Sequence, residues 1–552
     1  MPTLSVTTGL LRRKTTLALG ATLGLGAAAA LPATASASRS QIAIIQDGSD
    51  LVNAPAAMQE FRQLGANTVR VIVPWATIAP SPKSTKKPSF TATDPNAYAR
   101  SKWAPYDNIV SAAKAYGLTV DFVVTGGAPR WAEGPGVPNT STLYFAWKPN
   151  AAAYGQFFRA VATRYDGSFT PKGARSPLPA VHFWTIFNEP NFGEDLGPQA
   201  INGSTVSVAP MMYRGLLNAG WSALRATGHA RDTILIGDFA ARGSQHGITR
   251  HWPQGLPGNG GQTKPLAYIR TLYCVDSRYR QLRGSLAKAE GCPTSAGASR
   301  RFRSQNPALF GASGVGDHPY PGNQNPVTDG RSDPDFAAFP DLGNMERVLD
   351  RANGAYGSGK KYSIYNDEYG YITNPPNRGV VPVTGGRYVS PATAAYYINW
   401  AEYLSWKSSR IASYMQYLLQ DPAPTTAIGG FASGLEFYGG RHKPGYDAYR
   451  LPVYMPHTSF SRSANEEIWG AVRPAPFMSK DGNGPQTVSI QLNNKTIKTV
   501  TVGAGGYFDI NTKFPSSGSV RLAWRYPNAN PFLPASDLGA TVYSRSFTIK
   551  VH

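Results

Sequence analysis

Two short stretches of the chain end an apolar run in a carboxylate. In HFWTIFNEP, residues 182–190, the run stops at Glu189, and in YSIYNDEYG, residues 362–370, a second run stops at Glu368. A buried strand that ends in an acid places that acid at an opening in the fold. Two acids that meet at one opening can divide proton transfer and nucleophilic attack between them. These glutamates are therefore the first candidates for catalysis.

To bring the two acids together, the strands that carry them must end at the same edge of a sheet. Between residues 41 and 452, eight apolar segments alternate with segments of helical periodicity. This alternation predicts an α/β fold, a (β/α)8 TIM barrel with insertions. The alternative is a doubly wound open sheet, but no glycine-rich phosphate loop follows the first strand. The predicted strands are 42–45, 68–73, 119–125, 181–187, 233–236, 314–317, 362–366 and 411–418.

The last part of the chain has the pattern of an antiparallel sheet. TVSIQLNNKTIKTVTV alternates apolar and polar residues on both sides of Asn493-Asn494, which is typical of a β-hairpin. Farther on, Val520, Leu522 and Trp524 fall on one face of a strand pattern. We therefore predict a C-terminal antiparallel β-sandwich that packs against the barrel, with sugar binding as a further possible role.

The amino-terminal segment predicts export. Arg12-Arg13-Lys14 is followed by an apolar run and then by Ala35-Ser36-Ala37, the order found in secretory signals. The run is too short to span a membrane, and no later stretch reaches about 18 uninterrupted apolar residues. We expect a secreted, extracellular protein without stable membrane insertion. Its expected parts are a signal peptide at 1–37, the barrel at 38–455, and a linker with the β-sandwich at 456–552.

The chain has only two cysteines, Cys274 and Cys292. In an exported protein they are expected to form a disulfide, with two buried thiols as the alternative. The chain-entropy model gives such a bond a stabilising contribution of roughly 3 kcal/mol. The eight histidines are scattered, and neither an H-E-x-x-H motif nor a cysteine cluster occurs, so neither a metal nor a cofactor is expected.

The formal net charge of +21 is high for an exported protein. A field of that sign favours an anionic polysaccharide or a negatively charged cell envelope as partner. The alternative is a basic surface that serves no partner. Nucleic acid is not expected, because no dense Lys/Arg run with interleaved aromatic residues occurs. The sequence indicates no particular oligomeric state.

The predicted strand ends carry a recognisable order of residues. In a (β/α)8 barrel, catalytic groups come from the carboxyl ends of strands. Asn188-Glu189-Pro190 ends the fourth strand, His318-Pro319-Tyr320 the sixth and Glu368 the seventh, while Arg70 lies in the second. Paired carboxylates at a barrel mouth are the equipment for cleaving a glycosidic bond. With TGGAPRWA after the third strand, this order resembles the retaining glycoside hydrolases of clan A, and families 39 and 5 most of all.

The resemblance, which covers residues 41–452, implies a role for each matching residue. Glu189 would be the general acid/base and Glu368 the nucleophile, with a carbohydrate as substrate. Asn188 would hydrogen-bond the 2-hydroxyl of the sugar, an interaction that strengthens in the transition state. Tyr320 would donate a hydrogen bond to the nucleophile. No cofactor is needed for this mechanism.

Three further residues belong to the expected site. His318 would line its floor, and Arg70 would lie behind it, where a fixed cation favours a neighbouring carboxylate. Trp131 is expected to be a platform on which a sugar stacks, with a core position as the alternative. Asp367 is expected to point away from Glu368, to the opposite face of the strand.

One feature departs from the clan pattern. Many members end the eighth strand in a tryptophan that lies under the sugar, whereas IASYMQYLLQDP places Gln416 or Tyr417 there. The identity of the sugar is therefore open. Two other functions also stay open: a transglycosylase built on the same fold, and a non-catalytic carbohydrate-binding or envelope protein.

Overall fold

Eight parallel strands form a closed barrel. The computed structural model describes residues 41–552 except 49, 139–142, 144, 202–205, 252, 254, 329, 331–332, 374–387 and 425–429. Each strand pairs with its neighbours in chain order, and the first pairs with the last, which closes the barrel. The strands are β1 (Ile42–Gln46), β2 (Thr68–Pro74), β3 (Thr119–Thr125), β4 (Phe183–Ile186), β5 (Thr233–Ala240), β6 (Gly314–His318), β7 (Ser363–Asn366) and β8 (Ile411–Tyr417).

Helices follow the strands and cover the outside of the barrel. In the first helix, Ala57, Met58, Phe61 and Leu64 share one buried face, and Gly65 ends the helix with a φ of 82° that favours glycine. The main helices are α1 (Ala54–Leu64), α2 (Arg100–Tyr116), α3 (Ala151–Arg164), α4 (Ala209–Ala226), α5 (Pro265–Leu272), α6 (Gly284–Ala289), α7 (Ala296–Gln305), α8 (Pro307–Gly311), α9 (Leu342–Gly354), α10 (Pro391–Lys407) and α11 (Pro444–Arg450).

The strands are apolar on both faces because both faces are covered. Phe122, Val123 and Val124 of β3 are all fully buried, as expected where side chains fill the barrel on one side and helices pack on the other. The predicted (β/α)8 barrel is confirmed, and seven strands end within two residues of their predicted limits. The exception is β5, which continues four residues past its predicted end.

The strands after the barrel form two sheets around one hydrophobic core. One sheet has the order β9–β11–β14; the other has the order β10–β17–β15–β12–β13, with β16 paired to β15. The predicted hairpin is confirmed, since Asn493 and Asn494 connect its strands with positive φ angles of 49° and 64°. The strands are β9 (Val453–Tyr454), β10 (Ser459–Phe460), β11 (Glu466–Ala471), β12 (Thr487–Leu492), β13 (Lys495–Thr501), β14 (Tyr507–Thr512), β15 (Gly518–Arg525), β16 (Thr541–Tyr543) and β17 (Phe547–Val551).

Several other predictions can be compared with the structure. Cys274 and Cys292 form the expected disulfide, which joins the segment after α5 to the segment after α6. Within the described part of the chain, no helix is both long and apolar enough to cross a membrane. The described residues belong to one compact unit, so the predicted division at residue 455 stays a prediction. The predicted signal at 1–37 lies outside the described residues.

A buried ion pair joins the two sheets to the barrel. Arg473, just after β11, donates from Nη2 to Glu402 Oε2 of α10 at 2.6 Å, and both side chains are almost completely buried. The Tyr507 hydroxyl of β14 donates to the other oxygen of Glu402 at 2.9 Å. Arg473 Nε also donates to the carbonyl of Tyr449 in α11. Because both oxygens of Glu402 accept a hydrogen bond and Arg473 also reaches α11, these contacts hold the two sheets against α10 and α11.

Replacing Arg473 by methionine should therefore destabilise the protein strongly. Removing one partner leaves Glu402 buried without a counter-charge, which costs about 3–5 kcal/mol of unfolding free energy. Urea unfolding followed by tryptophan fluorescence measures this change. The matched control is Lys407→Met, which breaks partly exposed ion pairs with Glu467 and Asp509 at the same interface and should cost less than about 1 kcal/mol. Equal costs for the two variants would contradict the assigned importance of the buried pair.

Candidate active site

Glu189 and Glu368 line the same cavity at the carboxyl ends of the strands. Glu189 follows β4 and Glu368 follows β7, and the cavity between them has a volume of about 410 Å³. Their side chains are 19 % and 15 % exposed, so each carboxylate is reachable but mostly removed from water. Asn188 and Tyr417 line the same cavity, as do Gln46, Phe145, Glu194 and Asp195.

The backbone that presents Glu189 has an unusual conformation. Phe187 and Glu189 have positive φ angles of 80° and 39°, which residues other than glycine rarely adopt. Two hydrogen bonds hold this turn: Asn188 N donates to Thr125 Oγ1 at 2.9 Å, and Glu189 N donates to the Asp238 carbonyl at 3.0 Å. Strain of this kind persists only where neighbouring elements fix it, and it is concentrated at functional sites.

Both oxygens of Glu368 accept hydrogen bonds. Arg70 Nη1 donates to Oε2 at 3.0 Å, and the Tyr320 hydroxyl donates to Oε1 at 2.9 Å. Burial, followed by the charge of Glu368, raises the pKa of Tyr320 well above its usual range, so the phenol keeps the proton that it donates. Glu368 is therefore held as an acceptor in a fixed orientation, which confirms the predicted contact with Tyr320.

His318 connects the two glutamates from below. Its Nδ1 lies 2.8 Å from Glu189 Oε1 and 3.6 Å from Glu368 Oε2, and the ring is completely buried. Burial lowers the pKa of His318, but the surrounding carboxylates, with Glu368 the strongest, outweigh burial and leave the pKa well above its usual range. Nδ1 therefore donates to Glu189. Among the described residues, the second oxygen of Glu189 has no hydrogen-bond partner.

Arg70 is the buried cation beneath both glutamates. Its Nη2 forms an ion pair with Asp238 Oδ2 at 2.7 Å and donates to Asn188 Oδ1 at 2.9 Å. Its Nη1 also donates to Gln46 Oε1 at 2.7 Å. The guanidinium is completely buried, and nearby carboxylates outweigh burial and raise its pKa further above its usual range. Arg70 therefore connects the ends of several strands while carrying a permanent charge.

A second carboxyl group lies beside Asp238 inside the barrel. Burial raises the pKa of Asp238, but Arg70, His318 and a hydrogen bond with Asp367 together outweigh burial and lower the pKa below its usual range. Burial, followed by the charge of Asp238, raises the pKa of Asp367 well above its usual range. Asp238 is therefore ionised and Asp367 protonated. Gly316 makes room for the pair, because a Cβ at that position would overlap both carboxyl groups.

The expected orientation of Asp367 was wrong. Alternation of side chains applies within a strand, and β7 ends at Asn366, one residue earlier. Asp367 accepts a hydrogen bond from Asp317 N at 3.1 Å, and its Oδ1 lies 3.9 Å from His318 Nε2. Its carboxyl group is thus part of the buried network under the cavity.

Asn188 and Asp195 form a further pair at the cavity wall. Asn188 Nδ2 donates to Asp195 Oδ2 at 3.0 Å, while its Oδ1 accepts from Arg70. These two contacts fix the amide orientation and leave its second N–H for another acceptor. Desolvation and the negative charge of Glu189 raise the pKa of Asp195 to about 8, so this carboxyl group is protonated at neutral pH.

The remaining sequence candidates fall in different places. Tyr417 lines the cavity, whereas Gln416 is buried and donates to two backbone carbonyls. Trp131 lines a separate pocket with Lys87 and Lys148, and its Nε1 donates to the carbonyl of Pro80. The structure does not bring Trp131 to the two glutamates, so its role as a sugar platform stays a prediction.

Sequence reasoning missed three polar residues of the site. Gln46 is the last residue of β1, so the strand-end rule that found Glu189 could have found it. Asp238 lies at a register irregularity in β5 with a φ of 53°, and only the buried acid in an apolar segment signals it. Asp195 lies in the loop after Glu189 and carries no local signal.

Two groups of described residues have side chains suited to a metal ion. The first is Asp238, His318 and Asp367, and the second is Glu60, Glu436 and His442. In the first, a guanidinium nitrogen of Arg70 lies 2.7 Å from Asp238, so a cation already neutralises the carboxylate. The second contributes no residue to the cavity and contains its own ion pair between His442 and Glu436. We assign a metal to neither.

Replacing Arg70 by methionine should destabilise the fold by about 3–5 kcal/mol at neutral pH, since Asp238 loses its buried counter-charge. Arg70 lowers the pKa of Asp238 in the folded state, so this stabilisation is present above the unfolded pKa and disappears as the pH falls. The deficit should therefore shrink below about pH 4, where an ordinary aspartate is protonated. Urea unfolding of the wild type and the variant from about pH 3.5 to about pH 7 measures this difference in unfolding free energy.

Arg410→Met is the matched control for this experiment. Arg410 forms a partly exposed ion pair with Asp350, so its loss should cost less than about 1 kcal/mol. A deficit for Arg70→Met that does not change with pH would contradict the assigned pairing with Asp238.

Comparison with known proteins gives only remote structural likenesses. No protein-family model and no curated protein matches the chain. A family 39 glycoside hydrolase from the gut symbiont Bacteroides cellulosilyticus WH2 is 13 % identical, with 86 % of this chain and 80 % of that chain covered and a TM-score of 0.43. Family 39 is one of the two families that the sequence motifs resemble.

Two further solved structures are similar at the same level. A glucosidase from Croceicoccus marinus is 11 % identical, with 88 % of this chain and 94 % of that chain covered and a TM-score of 0.45. β-Glucuronidase 2 from Bacteroides uniformis is 10 % identical, with 93 % of this chain covered and a TM-score of 0.37. This chain spans only 46 % of the glucuronidase. We draw no functional argument from likenesses this remote and take the function from the site itself.

Proposed function

We propose that this chain is a retaining glycoside hydrolase that cleaves O-glycosidic bonds of a poly- or oligosaccharide by double displacement. The observation that carries the proposal is the contact of His318 Nδ1 with both glutamates, at 2.8 Å and 3.6 Å. The two contacted oxygens can be no farther apart than the sum of these distances. Contact of one nitrogen with both side chains favours the close spacing of a retaining pair, roughly 5–5.5 Å, over the roughly 6.5–9.5 Å of an inverting pair.

In the first step, a carboxylate oxygen of Glu368 forms a bond to the anomeric carbon of the sugar. The bond between that carbon and the leaving oxygen breaks, and Glu189 transfers its proton to the leaving oxygen. Arg70 and Tyr320 hold Glu368 by its two oxygens, so the attacking group is oriented in advance. The second oxygen of Glu189, which has no partner among the described residues, is free to carry the transferred proton.

In the second step, water replaces the enzyme at the anomeric carbon. Glu189, now a carboxylate, removes a proton from the water while the oxygen forms its bond to that carbon. The ester bond to Glu368 breaks and the carboxylate returns to Arg70 and Tyr320. His318 keeps its hydrogen bond to Glu189 through both steps and therefore fixes the direction of the acid/base group.

The charge of the cavity limits the kind of sugar at the cleavage position. Four of its lining residues carry carboxyl groups, and no lysine, arginine or histidine among the described residues lines it. Asp195 is protonated at neutral pH and Glu189 carries the proton for the leaving group. A carboxylated sugar would still meet the carboxylates of Glu194 and Glu368, so we propose a neutral sugar there. Export through the signal predicted at 1–37 would give the enzyme access to extracellular polysaccharides. Where an anionic polymer binds is a separate question. The four cavity-lining residues with carboxyl groups are Glu189, Glu194, Asp195 and Glu368.

Replacing either glutamate by glutamine should remove most of the activity, each in a different way. Glu368→Gln removes the nucleophile and should lower kcat by at least about 10³-fold on every substrate. Glu189→Gln should lower kcat by about 10²–10⁴-fold on polysaccharides, but much less for the first step on nitrophenyl glycosides, whose leaving groups need no proton. Release of reducing ends and of nitrophenol measures the two effects across a panel of polysaccharides and aryl glycosides.

Glu194→Gln is the matched control, because Glu194 is an exposed carboxylate of the same cavity and should leave kcat within about threefold of the wild type. The anomeric configuration of the first product, followed by NMR, tests retention directly. Inversion would disprove the double displacement, and transfer to added sugars would identify a transglycosylase. No hydrolysis by the wild type, together with unchanged sugar binding in both glutamine variants, would leave a non-catalytic carbohydrate-binding role.

A further inference from the structure

A groove on the opposite side of the barrel has the opposite charge. α4 ends just before β5 begins, and α7 and α8 precede β6. The groove between them therefore lies near the amino ends of these strands, away from the carboxyl ends that carry Glu189 and Glu368. Its volume is about 940 Å³. We call it the basic groove and define it by Trp221, Arg225, Arg300, Arg303, Gln305 and Phe310.

Three guanidinium groups of the basic groove have no carboxylate partner. Arg225, Arg300 and Arg303 are exposed, and none forms an ion pair with any residue that the structure describes. Arg303 Nη1 donates only to a backbone carbonyl, that of Gly357, at 3.2 Å. The three guanidinium groups therefore keep most of their hydrogen-bond donors available for a ligand.

The elements around the basic groove contain no compensating negative charge. Neither α4, α7 nor α8 has a single Asp or Glu in its sequence. Three of the positive charges of the chain are therefore close together here without acids, whereas the cleavage cavity is lined by acids. A groove lined by one sign of charge raises the local concentration of ligands of the other sign.

Fixed contacts hold the walls of the basic groove in place. Asn218 Nδ2 of α4 donates to the Gln305 carbonyl and to Asn306 Oδ1, both at 3.1 Å. Gly311 of α8 lets the backbone approach the ring of Trp221, since a Cβ there would lie only 3.2 Å from the ring. The guanidinium of Arg225 lies 6.0 Å from the same ring. The groove therefore exists before any ligand arrives, which reduces the entropic cost of binding.

We propose that the basic groove binds a carboxylated polysaccharide and so anchors the enzyme to an anionic glycan away from the cleavage cavity. Guanidinium forks match planar carboxylates through paired hydrogen bonds. The hydroxyl groups of Ser222 and Ser304 and the amide of Gln305 add donors and acceptors for sugar hydroxyls. The aromatic edges of Trp221 and Phe310 supply apolar surface for the sugar rings.

The test measures binding of de-esterified polygalacturonate to the full chain carrying Glu368→Gln, so that binding is separated from any cleavage. The triple change Arg225→Gln, Arg300→Gln and Arg303→Gln should weaken binding by about tenfold or more. The matched control changes Lys495, Lys498 and Lys513 to glutamine, which removes the same charge from exposed positions in the sheets, and should weaken binding by less than about threefold. Neutral dextran should not compete.

Several outcomes would overturn the proposal. Equal weakening by the two triple variants would show a general charge effect, and tighter binding of polyphosphate or duplex DNA would identify a different ligand class. Thermal unfolding checks that each triple variant is folded. If the arginine triple is unfolded, the single variant Arg300→Glu replaces it and should weaken binding more than Lys498→Glu; an equal effect would overturn the proposal. Because the assay uses Glu368→Gln, its result does not depend on the proposed hydrolase activity.

Discussion

The rest of the site depends on the hydrogen bonds and ion pairs of one buried guanidinium group, that of Arg70. Arg70 projects from β2 and contacts groups at the ends of five other strands: Gln46, Asn188, Asp238, His318 and Glu368. A cation placed in a barrel interior would be very unfavourable alone, and each partner would be unfavourable without it. The barrel therefore cannot change its strand positions without breaking this network. The constraint that stabilises the fold also orients Glu368 and Asn188 in the proposed active site.

The network also divides protons among neighbouring acids. Asp238 is ionised because Arg70 and His318 together outweigh the effect of burial, and Asp367 is protonated because burial and then the charge of Asp238 raise its pKa. Above them, His318 donates to Glu189 and Tyr320 donates to Glu368. Two chemically identical glutamates thus receive different partners, one a single donor and the other two. That difference suits one of them to carry a proton and the other to attack, and residue type alone could not supply it.

The sequence predicted the parts of this site that local rules determine. Strand ends in a parallel barrel meet at one edge, so Glu189 and Glu368 could be placed from two motifs. Asp238 could not, because it enters the site through a register irregularity that depends on packing between β5 and β6. Asp367 was misplaced because β7 ends one residue before it. Asp238 and Asp367 were missed or misplaced for the same reason: tertiary contacts decide where a regular strand is interrupted or ends.

The sequence gives the net charge of the chain, but only the structure shows where the charged groups lie. A total of +21 suggests an anionic partner but assigns it no position. The fold separates the charges, with carboxyl groups in the cavity after β4 and β7 and arginines without acids near the amino ends of β5 and β6. In the proposed arrangement, an acidic polymer is disfavoured in the cleavage cavity and bound in the basic groove. Under that arrangement an anionic glycan acts as an anchor, and the chain that is cleaved carries a neutral sugar at the cleavage position.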